Sequence, residues 1–131
     1  MSSEQDAAPK QVTASAHVLA VRDLERSKTF YADALGFEDL RVAAPGWCFM
    51  QRDACRLQLG ECPDAMPAAD TGDHSYFAYL YVEDAAALFA QAEAGGAEII
   101  KPLRDEPWGM REFALRTPDG HRIMVGEPSG N

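Results

Sequence analysis

The chain has 131 residues, of which 47% are hydrophobic and 25% charged, a composition typical of one soluble globular domain. Its 12 basic and 21 acidic residues give a formal net charge of −9, which argues against nucleic acid as a partner because phosphates need a basic surface. No apolar run is long enough to span a membrane, and the polar residues 1–12 lack the apolar core of a signal peptide. We therefore expect a mobile N-terminal arm at 1–12, a cytoplasmic location, no membrane partner and reduced cysteines.

The first half of the chain, residues 13–61, predicts one strand, one helix and three further strands. Residues 13–21 have the alternation of a strand, and Asp23 is placed to cap a helix that ends at Gly36. The three later strands are expected at 37–43, 47–52 and 55–60.

The second half, residues 75–128, predicts the same order after a linker at 62–74 that is rich in Pro, Asp, Ala and Gly. Asp84 is the expected N-cap of the second helix, which ends at Gly95. Strands are expected at 76–82, at 97–103 and on both sides of a tight turn at 117–120.

Two sequence matches indicate that the halves are copies of one unit. Arg-Leu-Gln-Leu-Gly-Glu at 56–61 matches Arg-Ile-Met-Val-Gly-Glu at 122–127, at an offset of 66. Val-Arg-Asp at 21–23 and Val-Glu-Asp at 82–84 stand at the same strand-to-helix junction. We therefore predict an α+β fold of two βαβββ modules, whose sheets curve toward each other as an open, cup-shaped mixed barrel with the helices outside.

Several motifs carry a resemblance to a known superfamily over residues 14–128. They are His17-Val-Leu-Ala-Val-Arg-Asp-Leu, Phe30-Tyr31, Leu35-Gly36-Phe37 and the closing Thr-Pro-Asp-Gly-His-Arg-Ile. This pattern resembles the glyoxalase/bleomycin resistance/dioxygenase group, the vicinal oxygen chelate superfamily. Within it, the segment 107–120 resembles the bleomycin resistance proteins most closely.

The resemblance implies a homodimer and a cup in which four inward strand positions hold a divalent metal. Those positions map onto His17, Gln58, Phe77 and Met124 of this chain. Phe77 cannot coordinate, and a thioether is a poor ligand for Zn, Ni, Fe(II) or Mn in such a site. A catalytic centre needs about three firm protein ligands and an open position. We therefore expect no metal, no other cofactor and no catalytic residue, with His17 either a polar ligand contact or a hydrogen-bonded pocket wall.

Aromatic side chains suggest what the cup would hold. Trp47 and Trp108 occupy comparable places in the two repeats, and the resemblance aligns them with rings that stack on the flat, cationic tail of bleomycin. Carboxylates near Trp108 would favour such a cation, and these are Asp105, Glu106 and Glu112. The candidate ligand-binding residues are Trp47, Trp108, Tyr79, Tyr81, Phe77, His17, Gln58 and Met124.

The sequence therefore favours a metal-free binding protein that sequesters a flat cationic antibiotic-like molecule, as a homodimer with clefts where two chains meet. One alternative is an enzyme of the same superfamily, a glyoxalase-like lyase or a ring-cleavage dioxygenase that uses a divalent metal. A metal-free isomerase with a His or Glu base stays open, as does a ligand-sensing or scaffolding member.

Overall fold

The computed structural model describes residues 11, 14–66, 68–71 and 76–129. The first module comprises β1 His17–Val21, α1 Leu24–Leu35, β2 Glu38–Asp39, β3 Trp47–Arg52 and β4 Cys55–Glu61. A short 3-10 helix, Ala68–Thr71, precedes the second module, which comprises β5 Tyr76–Tyr81, α2 Ala85–Ala94, β6 Glu98–Asp105, β7 Met110–Arg116 and β8 Arg122–Pro128. The predicted α+β fold class with two βαβββ modules is confirmed. The predicted arm at 1–12 falls outside the described residues except for Gln11, and 67 and 72–74 of the predicted linker do so too.

Each module forms one mixed four-stranded sheet, and no closed barrel connects the two. The strand orders are β1-β4-β3-β2 and β5-β8-β7-β6. In both sheets the first strand of the module runs parallel to the last, and the other neighbours are antiparallel. In the described part of the chain no helix is long and apolar enough to cross a membrane.

The duplication is visible in the hydrogen bonds that start each helix. Asp23 and Asp84 each accept a backbone N–H from one turn further on, at 3.0 Å in both modules. The glutamates near the end of β4 and β8, Glu61 and Glu127, accept the first backbone N–H of their helix at 3.0 and 2.9 Å. Both bonds satisfy N–H groups that a helix leaves unpaired at its N-terminus, so the two modules share the same local solution.

The second predicted strand, 37–43, is much shorter in the structure, because β2 covers two residues. Asp39 accepts the backbone N–H of Arg41 at 2.8 Å, and Arg41 has a left-handed backbone with φ 57°. Such a local side-chain bond competes with strand pairing and turns the chain. β6 instead runs past Pro102, which an edge strand tolerates, and its pairing with β7 shifts register twice.

The two helices pack against each other, and a single buried core includes side chains from both helices and both sheets. Each helix covers one face of its own sheet. The helices therefore lie between the two sheets of a chain, where the sequence suggested an open cup with the helices outside. We call the opposite face of each sheet, turned away from the helices, its outer face; exposed side chains on these faces include Val18, Trp47 and Tyr81.

Gly95, at the end of α2, permits the close approach of the helices. A Cβ atom added there would lie 2.5 Å from the Cα of Ala34 on α1 and 2.7 Å from the carbonyl oxygen of Asp33. Neither backbone atom can move without shifting α1, whose residues Ala34 and Leu35 are buried on this side.

We expect Gly95→Ala to lower the free energy of unfolding by about 2–3 kcal/mol, because the added methyl group overpacks the helix contact. The neighbouring Gly96→Ala is the matched control: its Cβ meets open space, and its φ of +86° costs the variant about 1 kcal/mol of backbone strain. Urea unfolding of both variants measures the difference. An equal loss in the two variants would contradict the close contact.

Candidate functional site

The outer face of the first sheet carries an exposed tryptophan among uncharged neighbours. Cross-strand pairing places Val18 beside Gln58, Phe49 beside Gln58, and Trp47 beside Gly60. Trp47 is 43% exposed and Val18 60% exposed. A shallow cavity of about 240 Å³ lies against Val18, Trp47 and Gly60. This surface can stack on a flat apolar group.

Two glycines at equivalent positions of the repeat make room for aromatic side chains. A Cβ at Gly60 would lie 2.9 Å from the Trp47 ring, so the indole rests directly on the backbone of β4. A Cβ at Gly126 would collide with the hydroxyl of Tyr79. The glycine of each repeated Leu-Gly-Glu or Val-Gly-Glu run thus lets a ring lie close to the sheet.

The outer face of the second sheet is organised around the buried carboxylate of Glu112. Its Oε2 accepts hydrogen bonds from the Tyr79 hydroxyl at 2.7 Å and from the Trp108 indole N–H at 3.1 Å. Its Oε1 accepts one from the Lys101 ammonium at 2.6 Å. Glu112 is 4% exposed, whereas Trp108 is 63% exposed. The network fixes the orientation of a ring that solvent reaches.

Lys101 links this carboxylate to a second one and covers one face of Trp108. Its Nζ lies 2.5 Å from Glu106 Oε2 and 5.4 Å from the centroid of the Trp108 ring, within cation–π range. Glu106 also accepts from Arg104 Nε at 3.0 Å. The hydrogen bond from Lys101, helped by Arg104, holds the pKa of Glu106 below its ordinary value against the opposing effect of burial.

The pKa values of the other two ionic members keep the network charged. Burial works to raise the pKa of Glu112, but hydrogen bonds from Lys101, Tyr79 and Trp108 outweigh it and leave the pKa below 4.5. Burial works to lower the pKa of Lys101, but its bonds to Glu106 and Glu112 leave it raised. The pKa of the Tyr79 hydroxyl is raised by burial and by its bond to Glu112, so this hydroxyl stays protonated.

The three carboxylates expected to meet a cationic ligand are all paired with cations of the protein. Asp105 accepts from Arg111 at 2.7 and 3.3 Å. Glu106 and Glu112 share Lys101, as described above. These carboxylates were expected to favour a positive ligand, but each is already ion-paired within the protein. Sequence alone gives no signal for this pairing, because it depends on the register between β6 and β7.

Most of the candidate ligand-binding residues lie on the outer faces, in two separate groups. The first sheet holds Trp47 and Gln58; the second holds Tyr79, Tyr81 and Met124, with Trp108 beside them in the β6–β7 loop. Tyr79 and Tyr81 stack at 4.7 Å between ring centroids, and Tyr79 pairs with Met124 across β5 and β8. Within one chain the two groups face away from each other.

His17 does not share a face with Gln58. It pairs with the buried Leu57, whereas its neighbour Val18 pairs with Gln58. The predicted inward position on β1 is thus wrong by one residue, which in a strand exchanges the two faces. Alternation identified two faces of β1 correctly but could not tell which one the helix covers.

Phe77 also lies away from the outer face. The pairing of β5 with β8 shifts between Tyr76 and Ala78, which is an irregularity of the bulge type. The Phe77 ring packs against the buried core and meets His17 and His121 edge-on, at 5.5 and 5.7 Å between centroids. The expectation that Phe77 lines the same surface as Tyr79 and Tyr81 is therefore wrong.

The four positions that the superfamily would use for a metal do not fit one here. His17 and Phe77 turn from the outer faces, and Phe77 has no donor atom. Gln58 and Met124 lie on the outer faces but offer only an amide oxygen and a thioether as donors. Within 11, 14–66, 68–71 and 76–129, no three His, Cys, Asp or Glu side chains are grouped as a metal site.

A larger cavity of about 830 Å³ lies between the modules, at the free edge of β5. Its walls include His17, Phe37, the β3–β4 turn, Tyr81 and the first turns of α2. The cavity joins His17 to the two tyrosines along the strand edge rather than through an enclosed cup. Both Arg52 and Asp53 at its rim are exposed, so its mouth is open to solvent.

We expect Glu112→Gln to destabilise the fold at neutral pH and to flatten its pH dependence. A carboxylate whose pKa is lower in the folded chain stabilises the fold above its unfolded pKa, near 4.5, and that contribution is lost as the pH falls through the folded value. Wild type should therefore lose stability more steeply than the variant as the pH falls to 4.5 and below. Urea unfolding across this range measures it. Glu25→Gln, with a side chain 78% exposed, is the control, and parallel curves for wild type and Glu112→Gln would contradict the network.

Comparison with known proteins agrees with this architecture. A family model described as Glyoxalase/Bleomycin resistance protein/Dioxygenase superfamily matches residues 13–125. A solved glyoxalase/bleomycin resistance protein from Catenulispora acidiphila DSM 44928 is 25% identical, with a TM-score of 0.68 over 87% of this chain and 96% of its own. A protein of unknown function from Agrobacterium tumefaciens str. C58 is 27% identical, with a TM-score of 0.63 over 90% and 95%.

A glyoxalase-related enzyme from Fulvimarina pelagi shares the fold at 22% identity, with a TM-score of 0.67 over 90% of this chain and 88% of its own. No curated protein matches the chain. Because the family model spans most of its length, the chain belongs to the Glyoxalase/Bleomycin resistance protein/Dioxygenase superfamily.

Proposed function

We propose that this protein is a metal-free binding protein that sequesters a flat, antibiotic-like small molecule in an aromatic cleft, and that it acts in the cytoplasm as a homodimer. The observation that carries the proposal is the exposure of Trp47 and Trp108, at 43% and 63%, on rigid supports. Trp47 rests on Gly60, and Trp108 is held by Glu112. Exposed aromatic faces fixed in advance bind flat molecules without losing side-chain freedom.

A second copy of the chain would complete the cleft. The two outer faces of one chain point away from each other because the helices lie between the sheets. In a two-fold dimer the first sheet of one protomer can oppose the second sheet of its partner, and the reverse contact forms an identical cleft. Each cleft then has Trp47 on one wall and Tyr79, Tyr81 and Trp108 on the other.

Sequestration agrees with the side chains at the superfamily's metal positions. It needs affinity and no bond making, so a Gln58 amide and a Met124 thioether serve as well as metal ligands would. The aromatic rings support a flat ligand of the bleomycin type. A positive charge on the ligand is not required by this site, because Asp105, Glu106 and Glu112 are already paired with cations of the protein.

Titration with bleomycin and with uncharged flat aromatic compounds should quench tryptophan fluorescence to saturation for at least one of them. We expect Trp108→Ala to weaken binding about ten-fold, as measured by calorimetry, because a stacked ring contributes about 0.5–1.5 kcal/mol. Met66→Ala, which removes a side chain 73% exposed in a loop, is the matched control and should bind as wild type does. A flat response to every compound would overturn the proposal.

Sedimentation should give a mass near twice the 14.3 kDa of the single chain. We expect Val18→Lys to shift the protein toward monomer, since it places a charge on an outer face that the partner would cover. Ala32→Lys, on an exposed position of α1, is the control. Wild type that sediments as a single chain at all concentrations would rule out clefts shared between protomers.

A further inference from the structure

We propose that the cleft selects flat aromatic molecules that carry no positive charge where they cover Trp108. This inference rests on the proposed binding function and adds the chemical class of the ligand. It departs from the cationic ligand that the sequence favoured, because the charges around Trp108 cancel within the protein.

Four charged side chains beside Trp108 are ion-paired with one another. The cations are Lys101 and Arg104, and the anions are Glu106 and Glu112. Two positive and two negative charges sum to zero, and the side chains of both carboxylates are 5% exposed. A cationic ligand would have to compete with Lys101 for carboxylates that are already bonded, and it would leave its own water shell without gaining a partner.

The geometry of Lys101 also acts against a cation. Its ammonium lies 5.4 Å from the centroid of the Trp108 ring and occupies the electron-rich π system from one side. A ligand can reach the ring from the side that Lys101 leaves open. A positive charge stacked there would compete for the same ring electrons and would be repelled by the ammonium through it, whereas an uncharged ring stacks without either cost.

On the outer face of the first sheet, the strand residues near Trp47 are uncharged, namely Val18, Phe49 and Gln58. Glu61 borders the shallow cavity at Trp47, but its carboxylate accepts the first backbone N–H of α1 at 3.0 Å. The carboxylates of Glu61, Glu106 and Glu112, described beside the two rings, are thus all bonded within the protein.

Three flat probes of similar size test the inference: protonated 9-aminoacridine, uncharged acridone and anthracene-2-carboxylate. We expect wild type to bind acridone about ten-fold more tightly than 9-aminoacridine, with calorimetry as the measurement. Lys101→Met removes the shared cation and leaves the charge of Glu112 without an ion-pair partner, so this variant should reverse the order and prefer 9-aminoacridine. Lys28→Met is the matched control, since Lys28 also contacts two carboxylates, Glu25 and Asp39, and should leave the order unchanged.

A second variant tests the inference independently if Lys101→Met folds poorly. Glu112→Gln removes one negative charge from the set, so the preference should move toward anthracene-2-carboxylate. Tightest binding of 9-aminoacridine by wild type would overturn the charge inference and leave the binding function intact. An unchanged probe order in both Lys101→Met and Glu112→Gln would overturn it too. Failure of all three probes to bind wild type would overturn the proposed function together with the inference.

Discussion

The close contact between the two helices sets the architecture of this protein. Gly95 lets the end of α2 approach the backbone of α1 at Ala34, and the contact joins the two modules into one hydrophobic core. Each sheet then packs one face against its helix, and the described residues of the same chain leave Trp47 and Tyr81 exposed on the other face. The exposed aromatic surfaces are a consequence of this layer order.

Much of the fold could be predicted from local sequence signals. The aspartate caps, the glycine ends of the helices and the repeated run ending in Gly-Glu all have a physical cause within a few residues, and each led to the right element. The length of β2 was overestimated because a single side-chain bond from Asp39 turns the chain. The hydrophobic periodicity of the sequence carries no signal for such a side-chain hydrogen bond.

The site was less predictable because it depends on register and on long-range contacts. The predicted face of β1 was off by one residue, so His17 lies on the core side of the strand. The irregularity in β5 places Phe77 against the core as well. The bonds of Tyr79 and Lys101 to Glu112 join three strands, and Tyr79 is 33 residues from Glu112 in the sequence. The sequence around Trp108 placed carboxylates near this ring correctly, but it could not reveal that neighbouring cations pair with them. The two tryptophans were identified because each stands beside a recognisable repeat.

The two glycines that seat the aromatic side chains have a consequence for symmetry. The duplication places a glycine at the same position of both sheets, Gly60 and Gly126. The apolar Trp47 ring lies against the first glycine, whereas the Tyr79 hydroxyl, which is hydrogen-bonded to Glu112, lies against the second. A ligand held between one wall of each kind would contact an apolar surface on one side and a polar surface on the other. Even a ligand with two identical halves would then have its halves in different environments, so the proposed cleft would favour one orientation of an unsymmetrical ligand.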